Sequence, residues 1–265
     1  MASINICIPT YGNYQILNQC LRSFKASSPD VCHVTIVNNE SSEDSTNQIN
    51  RIIHNSGMID VVSVIQPGLN LKWIGAINVG LHSIHSNHSE FFCMMNDDVI
   101  FPPGSSNFWP NMMRHFEDPS VGAVGPSSNF VAGNQSIQMV SLPDTIDTSC
   151  LIGFCMMLRT KTLKSLGGLD EELPGGDDID LSIRLMKDGY KLIAERGSYL
   201  HHIGQQTGNR VFEGYWDSEI HQERTMNSMI RKHGLATWFD CWSHQWQPYV
   251  FEKAENEEDS VHIQQ

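Results

Sequence analysis

FFCMMNDDVIF, residues 91–101, is the stretch on which the fold turns. Phe91 to Met95 carries no charge, and the run stops at Asn96-Asp97-Asp98. A short apolar run bounded by polar residues reads as a buried strand. A buried parallel strand that ends in carboxylates delivers them to the carboxyl edge of a sheet, where open α/β sheets bind their ligands. Two adjacent aspartates at that edge can hold a hard divalent cation, and the cation can hold a diphosphate. A solvated turn before Pro102-Pro103-Gly104 would carry the same residues, so the rest of the chain has to decide.

Upstream, the pattern is one of alternating strands and helices. Ile4–Pro9 reads as a strand closed by Pro9-Thr10-Tyr11-Gly12, and Ile16, Leu17, Cys20, Leu21 and Phe24 mark one face of a helix over 13–27. His33–Val37 is a second strand, a helix runs through Gln48, Ile49, Ile52 and Ile53, and Val61–Ile65 is a third strand. Trp73 to His85 is helical, with Ile74, Ile77, Leu81 and Ile84 on one side and the small residues Gly75, Ala76 and Gly80 allowing close packing. With Phe91–Met95 as the fourth strand, this alternation implies a parallel sheet with right-handed crossovers and a nucleotide-binding half-domain over residues 1–100.

Downstream the pattern changes. Val121–Pro126 is a short strand, 129–143 a loop with an edge strand, and Cys150–Arg159 a buried strand crossing the sheet. A short helix over Thr160–Gly168 and a loop over 171–176 lead to a helix from Asp177 to Gly189. Tyr190–Ala194 and Tyr199–His202 read as two short strands. From Tyr215 the pattern is helical, with Trp238, Phe239, Trp242 and Trp246 at helical spacing and expected to pack a core; an acceptor platform for a sugar ring is the other reading. Residues 252–265 form an acidic tail, expected to be disordered.

The 265 residues hold 30 acidic and 17 basic side chains, a net charge of −13. That balance disfavours a protein living on duplex nucleic acid or anionic lipid, where basic patches supply the affinity. Met1-Ala2-Ser3 leads straight into a strand with no basic leader, and no apolar stretch is long enough to cross a bilayer. Seven scattered cysteines without a C-x-x-C pair read as reduced, buried residues of a cytoplasmic protein.

In PGGDDIDLSIRLMKDG, residues 174–189, Asp177, Asp178 and Asp180 crowd the first turn of a helix behind two glycines. Aspartates at a helix N-terminus complement its dipole and satisfy free N–H groups, but one would serve that purpose. Mutual repulsion raises carboxylate pKa values while the helix end lowers them, so one of the three is suited to act as a base near neutral pH. Tyr199-Leu200-His201-His202-Ile203-Gly204 reads as a strand ending in histidines, one of which can complete a metal site while alternation turns the other away. No G-x-x-x-x-G-K-S/T, G-x-G-x-x-G or G-x-S-x-G motif occurs, which removes the common NTPase, dinucleotide and hydrolase readings.

Taken together over residues 4–235, these segments resemble the inverting family-2 glycosyltransferases of the GT-A fold, an α/β/α sandwich around a mostly parallel sheet with a helical C-terminal segment. INICIPTYGNYQILNQCLRSF is similar to that family's opening strand and helix, with Pro9, Thr10 and Tyr11 lining the nucleotide pocket. IVNNESSEDS resembles the second-strand motif whose aspartate faces the base; here Asn38 takes that position, and Glu40 replaces a usual glycine. NLKWIGAINVGL is similar to the helix packed under the sugar nucleotide, which places Asn70, Gly75, Asn78 and Gly80 there. NDDV matches the D-x-D-type motif, with Asn96 and Asp97 on the nucleotide sugar and Asp98 the foremost metal ligand. The segment from Gly153 to Leu192 resembles the acceptor side, where the E-D-x-D-L-x-x-R core puts the catalytic base on Asp178 and Asp177 where glutamate is usual. Arg184 either orients that base or pairs with its neighbours. HHIGQQT looks like the late histidine motif, favouring His202 over His201 as a metal or diphosphate ligand.

The resemblance implies transfer of a sugar from a nucleoside-diphosphate sugar, with uridine the expected base, to an unidentified acceptor hydroxyl, with inversion and with Mg²⁺ or Mn²⁺ as cofactor. It divides the chain into a nucleotide-sugar half (1–100), an acceptor and catalytic half of the same domain (101–214), C-terminal helices (215–251) and the tail. A nucleotidyltransferase on a related fold would need a basic, glycine-rich first loop, which Pro9–Asn13 lacks. A binding module without activity would be expected to have lost Asp98 or Asp178, and both are present.

Overall fold

The computed structural model describes residues 3–27, 32–84, 89–139, 141–204 and 218–244. Tyr215, Trp246, the Gln205–Thr207 end of the histidine motif and the acidic tail lie outside the described residues.

The first half is the expected parallel sheet. Strands β1 (Ile4–Thr10), β2 (Cys32–Asn38), β3 (Val62–Ile65) and β4 (Phe91–Met95) lie in the order β3-β2-β1-β4. β1 runs parallel to both neighbours, with Ile4 opposite Cys32 and Phe91. Every residue of β1 and β4 is buried, as in a strand covered on both faces, and that is why they read as unbroken apolar runs. Helix α1 (Tyr14–Ser27) buries Leu17, Cys20, Leu21 and Phe24 against one face. Helix α2 (Glu43–Ser56) starts with a capping box in which Ser42 and Ser45 serve each other's backbone N–H, and it stops at left-handed Gly57. Helix α3 (Lys72–Ser83) covers the other face so closely that a Cβ on Gly80 would lie 2.2 Å from Cys7 Sγ.

The second half is not parallel throughout, so the sheet is mixed. β8 (Cys155–Arg159) runs antiparallel to β4, pairing Met95 with Cys155. It starts from a loop at the carboxyl edge, and a strand that starts there can only run back. β6 (Val121–Ser128) is antiparallel to β8, and the long strand β9 (Lys191–His202) is parallel to β6. β5 (Val99–Ile100) and β7 (Thr145–Thr148) pair antiparallel with β9.

Three local expectations change. The two strands expected over 190–202 are one strand, interrupted by a bulge. Pro126 pairs with Glu195 but Ser127 with Tyr199, so one step on β6 spans four on β9 and Arg196–Ser198 are extra. The guanidinium of Arg196 fills this excursion, donating to the carbonyls of Asn134, Ser136 and Met139. The edge strand expected within 129–143 is a 3₁₀ turn, Gly133–Gln135, and the edge strand itself follows Pro143 as β7. The strand expected from Cys150 begins only at Cys155.

The core lies on both faces of the sheet. On one face Phe24, Phe101, Phe108 and Trp109 pack edge to face, around α1 and helix α4 (Phe108–Arg114). On the other, Ile77 and Leu81 of α3 meet Met94 and Met156 of the sheet and Leu181 and Leu185 of helix α6 (Asp177–Lys187), while α5 (Thr160–Ser165) adds Leu163. A third cluster joins Ile179 and Ile183 of α6 to Met229 of helix α7 (Glu219–His233) and Cys241 of helix α8 (Leu235–His244). The aromatic row of α8 does not pack as expected: Trp238 leans on this cluster, but Phe239 is 62% and Trp242 39% exposed. A ten-residue helix docked by Cys241 has only one face to bury. All seven cysteines are buried and none is disulfide-bonded. Among the described residues no helix is long and apolar enough to cross a membrane.

Candidate active site

β4 ends where the sequence put it, and Asp97 and Asp98 are both buried at the carboxyl edge. Asp97 turns toward β1 and accepts from Thr10 Oγ1 at 2.7 Å. Burial pushes its pKa up to about 7; the Thr10 hydroxyl pulls down and the Asp98 charge pushes up. Asp98 leads into a short antiparallel ladder between β5 and β9, in which Val99 lies opposite His202 and the Asp98 carbonyl accepts from Ile203 N at 3.0 Å.

His202 is held from four sides. Its Nδ1 lies 2.8 Å from the Phe130 carbonyl, its backbone N–H donates to Asn129 Oδ1 at 2.8 Å, Asn129 Nδ2 donates to its carbonyl, and the Phe154 ring stacks on it at 5.2 Å. A carbonyl only accepts, so Nδ1 carries the proton and Nε2 faces the site. That Nε2 lies 3.1 Å from Asp98 Oδ1 and 3.1 Å from Asn96 Nδ2. Burial opposes charging the ring, but Asp98, the Phe130 carbonyl and Asp97 outweigh it and raise its pKa. His201 points to the opposite face, exposed, with Nδ1 3.4 Å from Tyr199 Oη, so His202 is the histidine of the pair that faces Asp98.

The pair fits a divalent cation. Asp98 Oδ1 is buried and accepts no hydrogen bond of good geometry, and its neighbour is an imidazole nitrogen. Among the described residues no cluster of three or more His, Cys, Asp and Glu side chains could close around a metal. Two protein ligands leave the other positions to phosphate oxygens and water, the way Mg²⁺ and often Mn²⁺ are bound.

On the acceptor side, α6 starts from left-handed Gly176, which offers no capping side chain. Asp178 accepts through Oδ2 from Gly153 N at 3.1 Å and through Oδ1 from Ile179 N at 2.8 Å. Burial raises its pKa against the pull of these backbone donors. Asp177 accepts from the indole N–H of Trp73 at 2.9 Å, and burial, then the Asp178 charge, push it up to about 7. Asp180 is another matter: fully buried, it is ion-paired to Arg184 at 2.8 Å and Lys232 at 2.6 Å and accepts from His233 Nε2 at 2.7 Å, on a ring whose pKa burial lowers. Arg184 also donates to the carbonyls of Leu166 and Gly168, so it pairs with its neighbours and does not orient Asp178. One turn links the two halves of the site: Phe154 O accepts from Asn96 N at 2.9 Å while the adjacent Gly153 N serves Asp178.

The donor-side residues are less uniform. Pro9 and Thr10 close β1, and Tyr11 follows, partly exposed. Asn38 does not present a free amide for a base. Its oxygen accepts from Glu40 N and Ser41 N and its nitrogen donates to Ser45 Oγ at 2.8 Å, which folds the side chain into its own turn. Glu40 accepts a short hydrogen bond from Tyr14 Oη. Asn70 is exposed and accepts from Lys72 N at 2.8 Å. Gly75 abuts Leu71. Asn78 is buried, bonds the backbone of Leu169 in both directions and reaches Glu171, so it clamps the loop after α5.

Four contributors escaped the sequence reading. Trp73, Asn129, Phe130 and the Gly153–Phe154 turn all touch the aspartates or His202. Trp73 alone carried a signal, as the one aromatic among small residues at a helix start.

Known proteins can now be set beside this geometry. The mannosyltransferase PcManGT of Pyrobaculum calidifontis, solved in complex with GDP-Man and Mn²⁺, superposes with a TM-score of 0.67 at 17% identity, over 86% of this chain and 64% of its own. The first 349 residues of Staphylococcus aureus TarS superpose at 0.60 and 16% identity, over 92% of this chain and 80% of that one. In sequence the chain is 22% identical to the O-antigen chain rhamnosyltransferase WbaN of Salmonella anatum, over 83% of this chain and 72% of the relative. An uncharacterized Mycobacterium tuberculosis protein is also 22% identical, over 81% of this chain and 79% of its own. The structural likenesses establish the fold as that of the GT-A glycosyltransferases. The model of glycosyl transferase family 2 matches residues 5–167, more than half of the chain, and the protein belongs to that family of glycosyltransferases.

Proposed function

We propose that the protein transfers a sugar from a nucleoside-diphosphate sugar to an acceptor hydroxyl with inversion at the anomeric carbon, using Mg²⁺ or Mn²⁺. Asp98 and His202 would hold the ion, which supplies charge neutralisation to the departing diphosphate. Asp178 takes the acceptor proton as the acceptor oxygen bonds to the anomeric carbon; the bond from that carbon to the diphosphate breaks on the opposite face, and the nucleoside diphosphate leaves. Asp177, at the position of the family's usual glutamate, sits beside the base and shares its charge environment. In this reading residues 1–100 serve the donor and 101–214 the acceptor, with the helices beyond packed on the acceptor side.

The observation that carries the proposal is the Gly153–Phe154 turn. It ties the Asp98–His202 corner, through Asn96, to a carboxylate whose pKa burial raises. The neighbour solved with GDP-Man and Mn²⁺ supports a metal-held diphosphate. Uridine remains the proposed base on the family resemblance, with guanosine its rival because Asn38 is engaged in its own turn. The buried cysteines, none of them disulfide-bonded, support a cytoplasmic setting.

Calorimetry with UDP, GDP, dTDP and CDP, with and without Mn²⁺, tests the donor side; binding that survives chelation, or survives Asp98→Ala unchanged, removes the metal role. Asp178→Asn tests the base. Loss of a general base costs about a hundred- to ten-thousand-fold in rate, with donor affinity unchanged, whereas a helix-capping aspartate tolerates asparagine. Turnover near wild type would return Asp178 to a structural role.

A further inference from the structure

We propose that Lys232 and His233 of α7 are positioning residues for the catalytic carboxylates: by pairing with buried Asp180, Lys232 through its charge and His233 through a hydrogen bond, they hold the first turn of α6, and with it Asp177 and Asp178, in place. This rests on the reading of Asp178 as the base. The family model ends at residue 167, so neither α6 nor α7 is placed by that match.

A fully buried carboxylate persists only when its oxygens are paired. Arg184, one turn along the same helix, serves Asp180 Oδ2, and α6 offers Oδ1 no ion-pair partner of its own among the described residues. Lys232 at 2.6 Å and His233 at 2.7 Å serve Oδ1 from another element. Lys232 also reaches Asp170 in the loop that leads to α6, so one ammonium ties loop, helix and strut together.

The same helix presses on the hinge before the aspartates. A Cβ on Gly175 would lie 3.0 Å from His221 Nε2 and 3.1 Å from Thr225 Oγ1, and one on Gly176 would lie 3.0 Å from Thr225 Cγ2. Between these contacts, Met229 is buried against Ile179 and Ile183. α7 therefore braces α6 at its entry, along its side and at Asp180.

The contact is also electrical. The groups facing Asp180 are Asp177, Asp178 and Arg184 on α6 and Lys232 and His233 on α7, with Asp170 behind Lys232 and Lys187 3.4 Å from the far nitrogen of His233. The Asp180 charge is one of those that raise Asp177. Removing Lys232 leaves that charge less compensated, which makes the neighbouring carboxylates harder to ionise.

The test is Lys232→Met, with Lys232→Arg, the milder His233→Gln and the base variant Asp178→Asn beside it. Each is read by single-turnover rate at saturating donor, donor affinity, pH–rate profile and melting temperature. Lys232→Met is expected to lose at least about tenfold in rate at neutral pH while donor affinity stays within twofold. The acid limb of its profile moves to higher pH, and arginine restores most of the rate. If methionine abolishes folding, His233→Gln is expected to show the same pattern in smaller measure. A wild-type rate and profile would overturn the proposal, as would a parallel fall of rate and donor affinity, which signals general loosening. If Asp178→Asn keeps its turnover, the base assignment fails by itself, because the Lys232 limb shift is read in protein that retains Asp178.

Discussion

Trp73 and Asp177, 104 residues apart, are joined by an indole N–H to carboxylate bond of 2.9 Å between the first turns of α3 and α6. The donor stabilises the ionised form of a carboxyl that burial has raised to about 7. The same burial raises the pKa of Asp178, so transfer is expected to rise with pH as the two carboxyls ionise and then level. Trp73→Phe removes the donor and moves that limb upward. A hydrogen bond to a charged group contributes about 1.5–3 kcal/mol, or roughly one to two pH units. An unmoved limb in Trp73→Phe would leave the indole only a packing role.

The same carboxyl governs stability. Its pKa is 3.8 in the unfolded reference and about 7 when folded, so between those values the folded protein holds a proton that the unfolded chain has released. Its contribution is complete below about pH 4 and is lost as pH rises through 7. Asp177→Asn keeps the bond from Trp73 and cannot ionise. The variant should melt above wild type at pH 8, by a few degrees, and no higher than wild type near pH 4. Melting curves at both values decide it, and a difference independent of pH would contradict the shift.

Adjacent histidines should behave differently. His202→Ala removes the nitrogen beside Asp98, and donor affinity in Mn²⁺ is expected to fall about ten- to a hundredfold. His201→Ala, on the opposite face, should stay within twofold. Titration calorimetry of the two variants side by side checks this, and equal losses would refute the facing.

Glu195 offers a check away from the site. Its side chain is buried on β9 and accepts from His115, Arg114 at 3.0 Å and Thr145 at 3.2 Å. Burial pushes its pKa up, but the His115 and Arg114 contacts together bring it below the usual carboxylate value of 4.5. A depressed folded pKa gives stability that is present above the unfolded value and lost as pH falls through the folded one. Glu195→Gln should therefore lower stability at neutral pH, by about 1.5 kcal/mol for the charge-assisted hydrogen bonds lost, with the gap narrowing below pH 4.5. Denaturant titrations at pH 7 and pH 4 measure it.

What the residues disclosed follows the range of the forces involved. β1, β2 and β4 were legible because each is a largely buried run flanked by its own turn, β3 as a short β-branched run before Pro67-Gly68, and the helices between them carry their period locally. The reversal at β8, the late edge strand β7 and the joining of β9 depend on partners far along the chain, and local pattern is silent on those. Asp98, Asp178 and His202 stood out through unusual chemistry at element ends. The internal bonds of Asn38 and Asn78 were not legible, because an amide looks the same in sequence whether it meets a ligand or its own backbone. His233, 53 residues from Asp180, gave no sign of that pairing.

The excursion at Arg196–Ser198 has a consequence for how this site can change. Three extra residues are an odd number, so the bulge inverts which of the following side chains look inward, and His202 faces Asp98 as a result. With the bulge kept at its length, deleting one of its residues would slide the strand by one place, carry His202 to the outward place of His201 and bring Ile203 beside Asp98, with no side chain of the site altered. Whether an imidazole stands beside Asp98 is thus written in a length and not in a letter, which makes insertion or deletion at this bulge a more drastic event for the chemistry than most substitutions in the pocket itself.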